Sequence, residues 1–508
     1  MSCLIAAPCS GSGKTLLTLM LTALARRRGL NVQPFKVGPD YLDPQLLSAV
    51  AGRPCRNLDP LLCGDDWVRN CFHWHGSRAD RVVVEGVMGL FDGRGSSSEG
   101  SSAAVAALLD LPVVLVVEAS RQAGSLAAVV RGFRDHGPPR VRLAGVVLNR
   151  VGSERHRTLL REALEAIAVP LLGVLPSHPA LDLPSRHLGL LPPREVEDLE
   201  RRQRIWASLA EEHLDLGRLW PLLGPPEVRP GQRDPIISAL GATNGAAAAA
   251  DAPPPGPPLP PPGPPLPVAV AADAAFHFRY PEAEELLRAC GLEPRPWSPL
   301  ADEALPAGSR AVLLPGGYPE LHAGTLASAR RSLADLRAAV RGGLPVVAEC
   351  GGLLLLGRRL EDQAGESHAM TGLLPFAARR GPSLSLGYRQ MRAGADGLLV
   401  RRGERLSGHE FHRWELELAP AGTAADGGPL VAEREELWQV EGWGCPSRSE
   451  GWTASNVHAS WIHLHWAGCS AIPRRLAASA GRGEPLPTSA ESSSPPIAAP
   501  PRPANAGV

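Results

Sequence analysis

A short apolar strand that runs into a Gly/Ser loop and then a Lys-Thr pair at the head of an apolar helix constrains this chain most. Leu4-Ile5-Ala6 reads as the strand. Pro8-Cys9-Ser10-Gly11-Ser12-Gly13-Lys14-Thr15 reads as the loop, and an apolar helix is predicted over residues 14–28. Glycines in such a loop let backbone N–H groups point at phosphate oxygens, and the helix N-terminus adds a partial positive charge. Lys14 supplies a point charge to the outer phosphates, and the Thr15 hydroxyl can ligate Mg²⁺. Pro8 stands where the first glycine of such loops usually stands. A Gly/Ser turn that merely caps a helix is the plain structural alternative; strand, Gly-Lys-Thr and helix together favour nucleotide binding by Ser10, Gly11, Ser12, Gly13, Lys14 and Thr15. Further buried strands are predicted at residues 81–85, 113–117 and 143–148. Strands and helices alternating in this way argue for a parallel sheet covered on both faces.

Two acidic segments follow the loop. Residues 36–44, KVGPDYLDP, place Asp40 and Asp43 in a turn. Residues 85–93, EGVMGLFDG, put Glu85 at the C-terminal end of a buried strand and Asp92 in the following loop. Open α/β sheets bind ligands at such strand ends. An acid there can hold Mg²⁺, which neutralises phosphate charge. A turn or cap role is the ordinary reading for Asp40, Asp43 and Asp92 taken singly. Glu85 is different, because a carboxylate at a buried strand end is costly without a partner.

The chain has 508 residues, enough for two to four domains. Lys plus Arg and Asp plus Glu both number 52, so no basic face for nucleic acid is expected. No secretory signal is visible, and the most apolar run, residues 111–117, is far short of the roughly 20 residues that span a bilayer. Nine scattered cysteines without a Cys-x-x-Cys pair suit a reducing cytoplasm. From about residue 230 the composition shifts to alanine and then proline, which predicts an extended linker over 230–267. The expected organisation is a nucleotide-binding domain at 1–229, this linker, a second α/β domain at 268–478 and a disordered tail at 479–508. Residues 433–453 hold several tryptophans without a clear period and read as an insertion loop.

In the second domain, Val346-Val347-Ala348-Glu349-Cys350-Gly351-Gly352-Leu353 runs an apolar strand into a cysteine, two glycines and an apolar helix. This is a nucleophile-elbow layout. The helix N-terminus is expected to favour thiolate, and the Gly351 N–H can face a substrate oxygen. A buried inert thiol is the usual state of a lone cysteine, but only Cys350 has this setting. Candidate bases are His409, His412, His458, His463 and His465, and spacing does not choose among them. The Gly-Gly turn after residues 314–315 offers a second oxyanion donor near Gly317.

The chain resembles the cobyrinate a,c-diamide synthase family of cobalamin biosynthesis. The resemblance rests on APCSGSGKT (7–15), KVGPDYLDP, EGVMGLFDG, VVLNRV (146–151), RHLGL (186–190), AADAAFHF (271–278), WSPLAD (297–302), LPGGYPELHA (314–323), AECGGL (348–353), GYR (387–389), GHEFH (408–412) and HASWIHLHW (458–466). It implies an α/β chain: an N-terminal P-loop, dethiobiotin synthetase-like parallel-sheet domain, then a class I glutamine amidotransferase-like domain. It also implies a cytoplasmic carbon–nitrogen ligase that uses ATP, Mg²⁺ and L-glutamine to amidate the c- and then the a-carboxylate of cobyrinate through acyl phosphates, with a homodimer as a guess. By motif, Cys350 would be the nucleophile, His463 its base, and Gly317 and Gly351 the oxyanion donors. Lys14 and Thr15 would serve ATP, and Thr15, Asp40, Asp43, Glu85 and Asp92 would serve Mg²⁺, phosphates or corrinoid. His465 stands where many amidotransferases have Glu, which leaves the third triad member open. Trp461 replaces a commoner Tyr. The alternatives are hydrogenobyrinate as acceptor, the multiple amidations of cobyric acid synthase, and a non-catalytic regulatory P-loop protein.

Overall fold

Strands of a parallel sheet covered on both faces are buried along most of their length, and the first half of the chain is built from such strands. The computed structural model describes residues 1–186, 189–241, 256–258, 263–418 and 435–482. In it β1 (Leu4–Ala6), β2 (Val32–Val37), β3 (Arg56–Leu58), β4 (Arg81–Glu85), β5 (Val113–Glu118), β6 (Leu143–Val151) and β7 (Leu171–Pro176) form a seven-stranded sheet. Its order is β3-β2-β4-β1-β5-β6-β7, parallel throughout. The strands expected at 81–85, 113–117 and 143–148 are β4, β5 and β6. The chain moves to one side of β1 for β2, β3 and β4, and to the other for β5, β6 and β7. The loop after β1 therefore opens at the switch point, where α/β sheets take ligands. Helix α1 (Lys14–Arg27) covers one face, with Leu16 to Ala25 buried. Helix α2 (Leu42–Ala51) follows β2 and its acidic turn. A short hairpin, β8 (Ser185–Arg186) with β9 (Gly189–Leu190), stands beside the phosphate loop.

The second half carries a twelve-stranded sheet. Its parallel part is β10 (Leu266–Ala271), β11 (Leu292–Trp297), β12 (Ala311–Leu314), β13 (Val346–Glu349) and β20 (Val457–Ser460), in the order β11-β10-β12-β13-β20. An antiparallel part continues it through β19 (Cys445–Thr453), β18 (Glu435–Gly442) and β16 (Phe376–Ala393). β17 (Arg405–Leu418) pairs with β16 and with β21 (Ile462–His463), while β14 (Arg359–Glu361) and β15 (Ser367–Ala369) lie at the edge.

Three expectations need correction. Residues 435–453 are not an insertion loop but the β18–β19 hairpin, an integral part of the sheet. Its tryptophans break the simple alternation because Trp438 and Trp452 pack into the core, against His458 and Phe376, while Trp443 stands out at the turn. Part of the segment read as linker is a helix, Pro235–Gly241, whose Ile236 and Leu240 are buried. Two apolar side chains with a core to enter outweigh the surrounding proline-rich composition. The last helix, Ala471–Arg482, runs past residue 478 into the segment read as tail. The remainder of that tail, from 483, lies outside the described residues, as do 242–255 and 259–262 of the linker. No helix among the described residues is long and apolar enough to cross a membrane.

The two sheets meet along a polar and aromatic seam. Arg56 of β3 is buried and pairs with Glu282 and Glu285 at 3.2 and 2.6 Å. Gln45 of α2 donates to the His277 carbonyl at 3.0 Å, and the Tyr388 hydroxyl donates to Asp59 at 2.9 Å. Tyr41, Leu42, Phe278 and Tyr280 form a small apolar cluster between the halves.

Candidate active sites

The loop after β1 takes a conformation that needs glycine. Gly13 has φ of 108°, and a Cβ there would lie 2.4 Å from Asn149 Nδ2. Asn149, at the end of β6, donates from Nδ2 to the Ser12 carbonyl at 3.0 Å and so braces the loop from across the sheet. Ser12 Oγ donates to the Cys9 carbonyl at 2.9 Å. Ser10, Gly11, Gly13, Lys14 and Thr15 line one cavity of about 470 Å³, together with Asp40, Asp43 and Asn149. Of the six expected nucleotide-binding residues, all but Ser12 line this pocket. Asn149 was not foreseen; its only sequence signal is a polar residue at the end of an apolar strand.

At the inner end of this cavity the acids converge on a cation that sequence reasoning did not single out. Lys36 Nζ lies 2.5 Å from Asp43, 2.8 Å from Glu85 and 3.6 Å from Asp40. Burial opposes its charge, but Asp43, Glu85 and Asp40 together hold the ammonium well above the usual lysine range. Burial raises Glu85, and burial with the neighbouring Asp43 raises Asp40 to about 7. Asp43 is held low by Lys36 despite its burial. The Thr15 hydroxyl donates to Glu85 Oε1 at 2.6 Å, and Glu85 Oε2 is buried with no partner. Lys14 Nζ donates to the Met88 carbonyl at 2.6 Å. Asp92 is set apart: it accepts the Gly89 N–H at 2.7 Å and lines a neighbouring cavity.

Lys36→Met is expected to destabilise the fold by about 3–5 kcal/mol, because it strands the buried Glu85 and the part-buried Asp43 without their counter-charge. Urea unfolding of wild type and variant measures this; a loss under about 1 kcal/mol would mean that the cluster is neutral in the folded state.

In the second half, β13 ends at Glu349 and the chain turns sharply. Cys350 adopts φ 49° and ψ −109° and heads the helix Gly351–Leu356. Its N–H donates to the Ser460 carbonyl at 2.8 Å, and its thiol lies 3.4 Å from the Phe411 carbonyl. The two expected oxyanion glycines are brought together: a Cβ on Gly351 would lie 2.9 Å from the Gly317 nitrogen. The expected thiolate is not favoured here. Burial, and next the Glu320 carboxyl, push the Cys350 thiol well above the ordinary value. One short helical turn cannot offset the loss of water around a sulfur that is 4 % exposed.

The five candidate histidines now separate. His412 is engaged at both nitrogens, by the Trp414 carbonyl at 2.7 Å and Glu410 at 2.8 Å, and its ring stacks on Trp461. His458 is wholly buried against Trp438, and burial lowers it to about 3. His465 packs on Tyr280 near Glu282, and His409 on Tyr388. His463 sits against the Gly-Gly turn, since a Cβ on Gly316 would lie 2.4 Å from its Cε1. Its Nδ1 faces Glu349 Oε2 at 3.7 Å, and neither ring nitrogen has a hydrogen bond. Cys350 and His463 therefore flank the same turn without a hydrogen bond between them. Glu349, which immediately precedes the cysteine, is the carboxylate facing this imidazole. Two aromatic rings face His463, Phe278 at 6.4 Å between centroids and, closer, Tyr41 of the first half at 4.9 Å. No local pattern announces the Tyr41 contact, because its partners are 422 residues apart (463 − 41).

The neighbouring cavity that Asp92 lines, also about 470 Å³, opens on the seam. It is lined from the first half by Asp40, Met88, Asp92 and Arg94, and from the second by Leu386, Tyr388, Arg389, His409, Phe411 and Trp443. Asp40, Val87 and Met88 line both this cavity and the phosphate-loop pocket.

Comparison with known proteins agrees with this division. Residues 3–191 match the CobQ/CobB/MinD/ParA nucleotide binding domain, and residues 267–470 match the CobB/CobQ-like glutamine amidotransferase domain. The chain is similar to a cobyrinate a,c-diamide synthase of Gloeobacter violaceus, 42% identical over 94% of this chain and 96% of that protein. It is 38% identical to one of Synechocystis over 94% of this chain and 95% of that protein. A hydrogenobyrinate a,c-diamide synthase of Streptomyces coelicolor is 42% identical over 93% of this chain and 96% of its own length.

Proposed function

The chain belongs to the cobyrinate a,c-diamide synthase family, and on that footing we propose how its residues divide the work. It is a carbon–nitrogen ligase that draws amide nitrogen from glutamine and drives the transfer with ATP. The acceptor is cobyrinate, amidated at its a- and c-carboxylates.

Cys350 attacks the amide carbonyl of glutamine. His463 takes the thiol proton, which matters here because the buried thiol does not ionise unaided. Glu349 orients and stabilises the imidazolium so formed. The Gly317 and Gly351 amides meet the oxygen that becomes negative. Collapse of the adduct releases ammonia and leaves a glutamyl thioester, which water hydrolyses to glutamate.

In the first half Lys14 and the loop amides hold the phosphates of ATP. The acceptor carboxylate attacks the γ-phosphorus and expels ADP. Ammonia then attacks the acyl phosphate carbon and expels phosphate. Among the described residues no three acidic, histidine or cysteine side chains are grouped to hold a metal by themselves. Mg²⁺ does not need such a cage, since it binds through one or two protein oxygens plus the phosphates. The Thr15 hydroxyl and the unpartnered oxygen of Glu85 fit that role. When bound, the ion neutralises phosphate charge. Asp40 and Asp43 line the same pocket with Lys36 between them, where they position the reacting groups.

The observation that carries this reading is the Tyr41 contact. The residue between Asp40 and Leu42 packs on His463, so the acidic cluster and the glutaminase base are joined by one side chain. Ammonia made at one site is consumed at the other, and Tyr41 stands between the two. The test is to incubate the protein with ATP, glutamine and either cobyrinate or its cobalt-free counterpart, and to count new amides by mass. Two amides on one of these rings are expected, and the faster ring identifies the acceptor. Conversion of further carboxylates points to cobyric acid synthase chemistry, and amidation of neither ring sinks the reading.

A further inference from the structure

Exposed large apolar side chains are normally scattered, and a cluster of them marks a binding surface. In this protein Met88, Leu386 and Trp443 are such residues, 41%, 50% and 72% exposed, and all three line the cavity on the seam. They come from three distant parts of the sequence, so only a common surface brings them together. Trp443 is the most exposed of the three. It sits at the turn of the β18–β19 hairpin, where Gly442 pairs with Cys445. Its ring lies over Gly95 of the first half, where a Cβ would come within 2.6 Å of it. The hairpin of the glutaminase half thus reaches across the seam and closes one side of a cavity whose floor belongs to the ATP half.

We infer that this cavity receives the acceptor and that Trp443 stacks on the acceptor's flat macrocycle, so that the glutaminase half supplies part of the acceptor site. The inference rests on the proposed acceptor class, a broad ring with apolar faces and carboxylate arms. Apolar walls of Trp443, Leu386, Met88 and Phe411 suit the ring faces. Asp40, Val87 and Met88 line both this cavity and the phosphate-loop pocket, so a ring held in the first has a carboxylate arm beside the second. A flat indole held only at a hairpin turn can follow the ring as one arm is withdrawn and another presented, which a two-site amidation requires. Nothing in the glutaminase or phosphate chemistry uses this side chain.

The test supplies ammonia as nitrogen donor, so that the glutaminase step is bypassed. Wild type, Trp443→Ala and Trp443→Phe are compared for acceptor KM, ATP KM and free glutaminase activity. Trp443→Ala is expected to raise the acceptor KM roughly tenfold, with Trp443→Phe recovering most of the loss. ATP KM and glutaminase activity stay at wild-type values. An acceptor KM unchanged in Trp443→Ala overturns the inference while leaving the proposed function intact. An equal rise in ATP KM also overturns it, because the hairpin then supports the fold as a whole. If wild type amidates no corrinoid with ammonia, the acceptor class is wrong and the inference falls with it.

Discussion

Cys350→Ala is expected to lower glutamine-dependent amidation by at least about 10⁴-fold, while ammonia still supports amidation at close to the wild-type rate. The size of the effect follows from the chemistry. Without sulfur no thioester forms, and the oxyanion amides alone activate glutamine weakly. The buried setting strengthens the expectation, since water has little access to replace the missing nucleophile at a position 4 % exposed. The rescue follows from geometry, because Cys350 lies at the turn after β13 in the second half, outside the Lys36 cluster. His463→Ala is the companion variant and should show the same pattern with a smaller loss. Glutamate release and amide formation, measured in parallel with each donor, decide the matter. Glutamine-dependent activity retained in Cys350→Ala would remove that residue from the mechanism.

Lys14→Met gives the opposite signature. Amidation should fall on the order of 10³-fold with either donor, since removing one preorganised charge from a phosphoryl-transfer site costs about that much. The free glutaminase reaction should survive. Methionine keeps most of the stem that fills the space beneath Met88, so the loss reports charge rather than packing. Burial and the adjacent Lys36 ammonium lower Lys14 from its usual value, so this cation is already held at some cost to the empty site. That cost is offset once phosphate arrives, and the Lys14 bond to the Met88 carbonyl then competes with a stronger, charge-assisted partner. Failure with glutamine but not with ammonia would place Lys14 in the coupling between sites rather than in phosphoryl transfer.

The two variants together separate a site that makes nitrogen from one that consumes it. Lys36→Met differs from both, since its expected defect is in folding. The contrast comes from partners: Lys14 binds carbonyls that water can also satisfy, while Lys36 neutralises Glu85, a carboxylate that water does not reach.

The phosphate loop and the cysteine elbow were legible because each is local. A loop of Gly13 and Lys14 must follow a strand and open a helix for its amides to converge, and all of that lies within a dozen consecutive residues. The parallel sheet was legible for a similar reason, since runs such as residues 113–117 are apolar throughout and have no side to show to water. The acids at 40, 43 and 85 could be named, but not the lysine that binds them, because a lysine inside a strand ordinarily reads as a surface residue. Spacing did not choose among five histidines, and only the family resemblance pointed to His463, for the same reason: an imidazole's role depends on what faces it. The thiolate expectation failed because a helix N-terminus is a local feature, whereas desolvation is set by everything packed around the sulfur.

What the chain determined by itself, then, was the pair of backbone devices that bind phosphate and present a thiol, since short-range sterics and hydrogen bonding suffice to build them. Tertiary structure alone decided how they are joined. Tyr41 against His463 and Trp443 over Gly95 are contacts between residues far apart in sequence, created where the two halves meet at a common seam, and Lys36 meets Glu85 because β2 and β4 pair. Burial energy depends on which surfaces meet, and no stretch of sequence carries that information within itself.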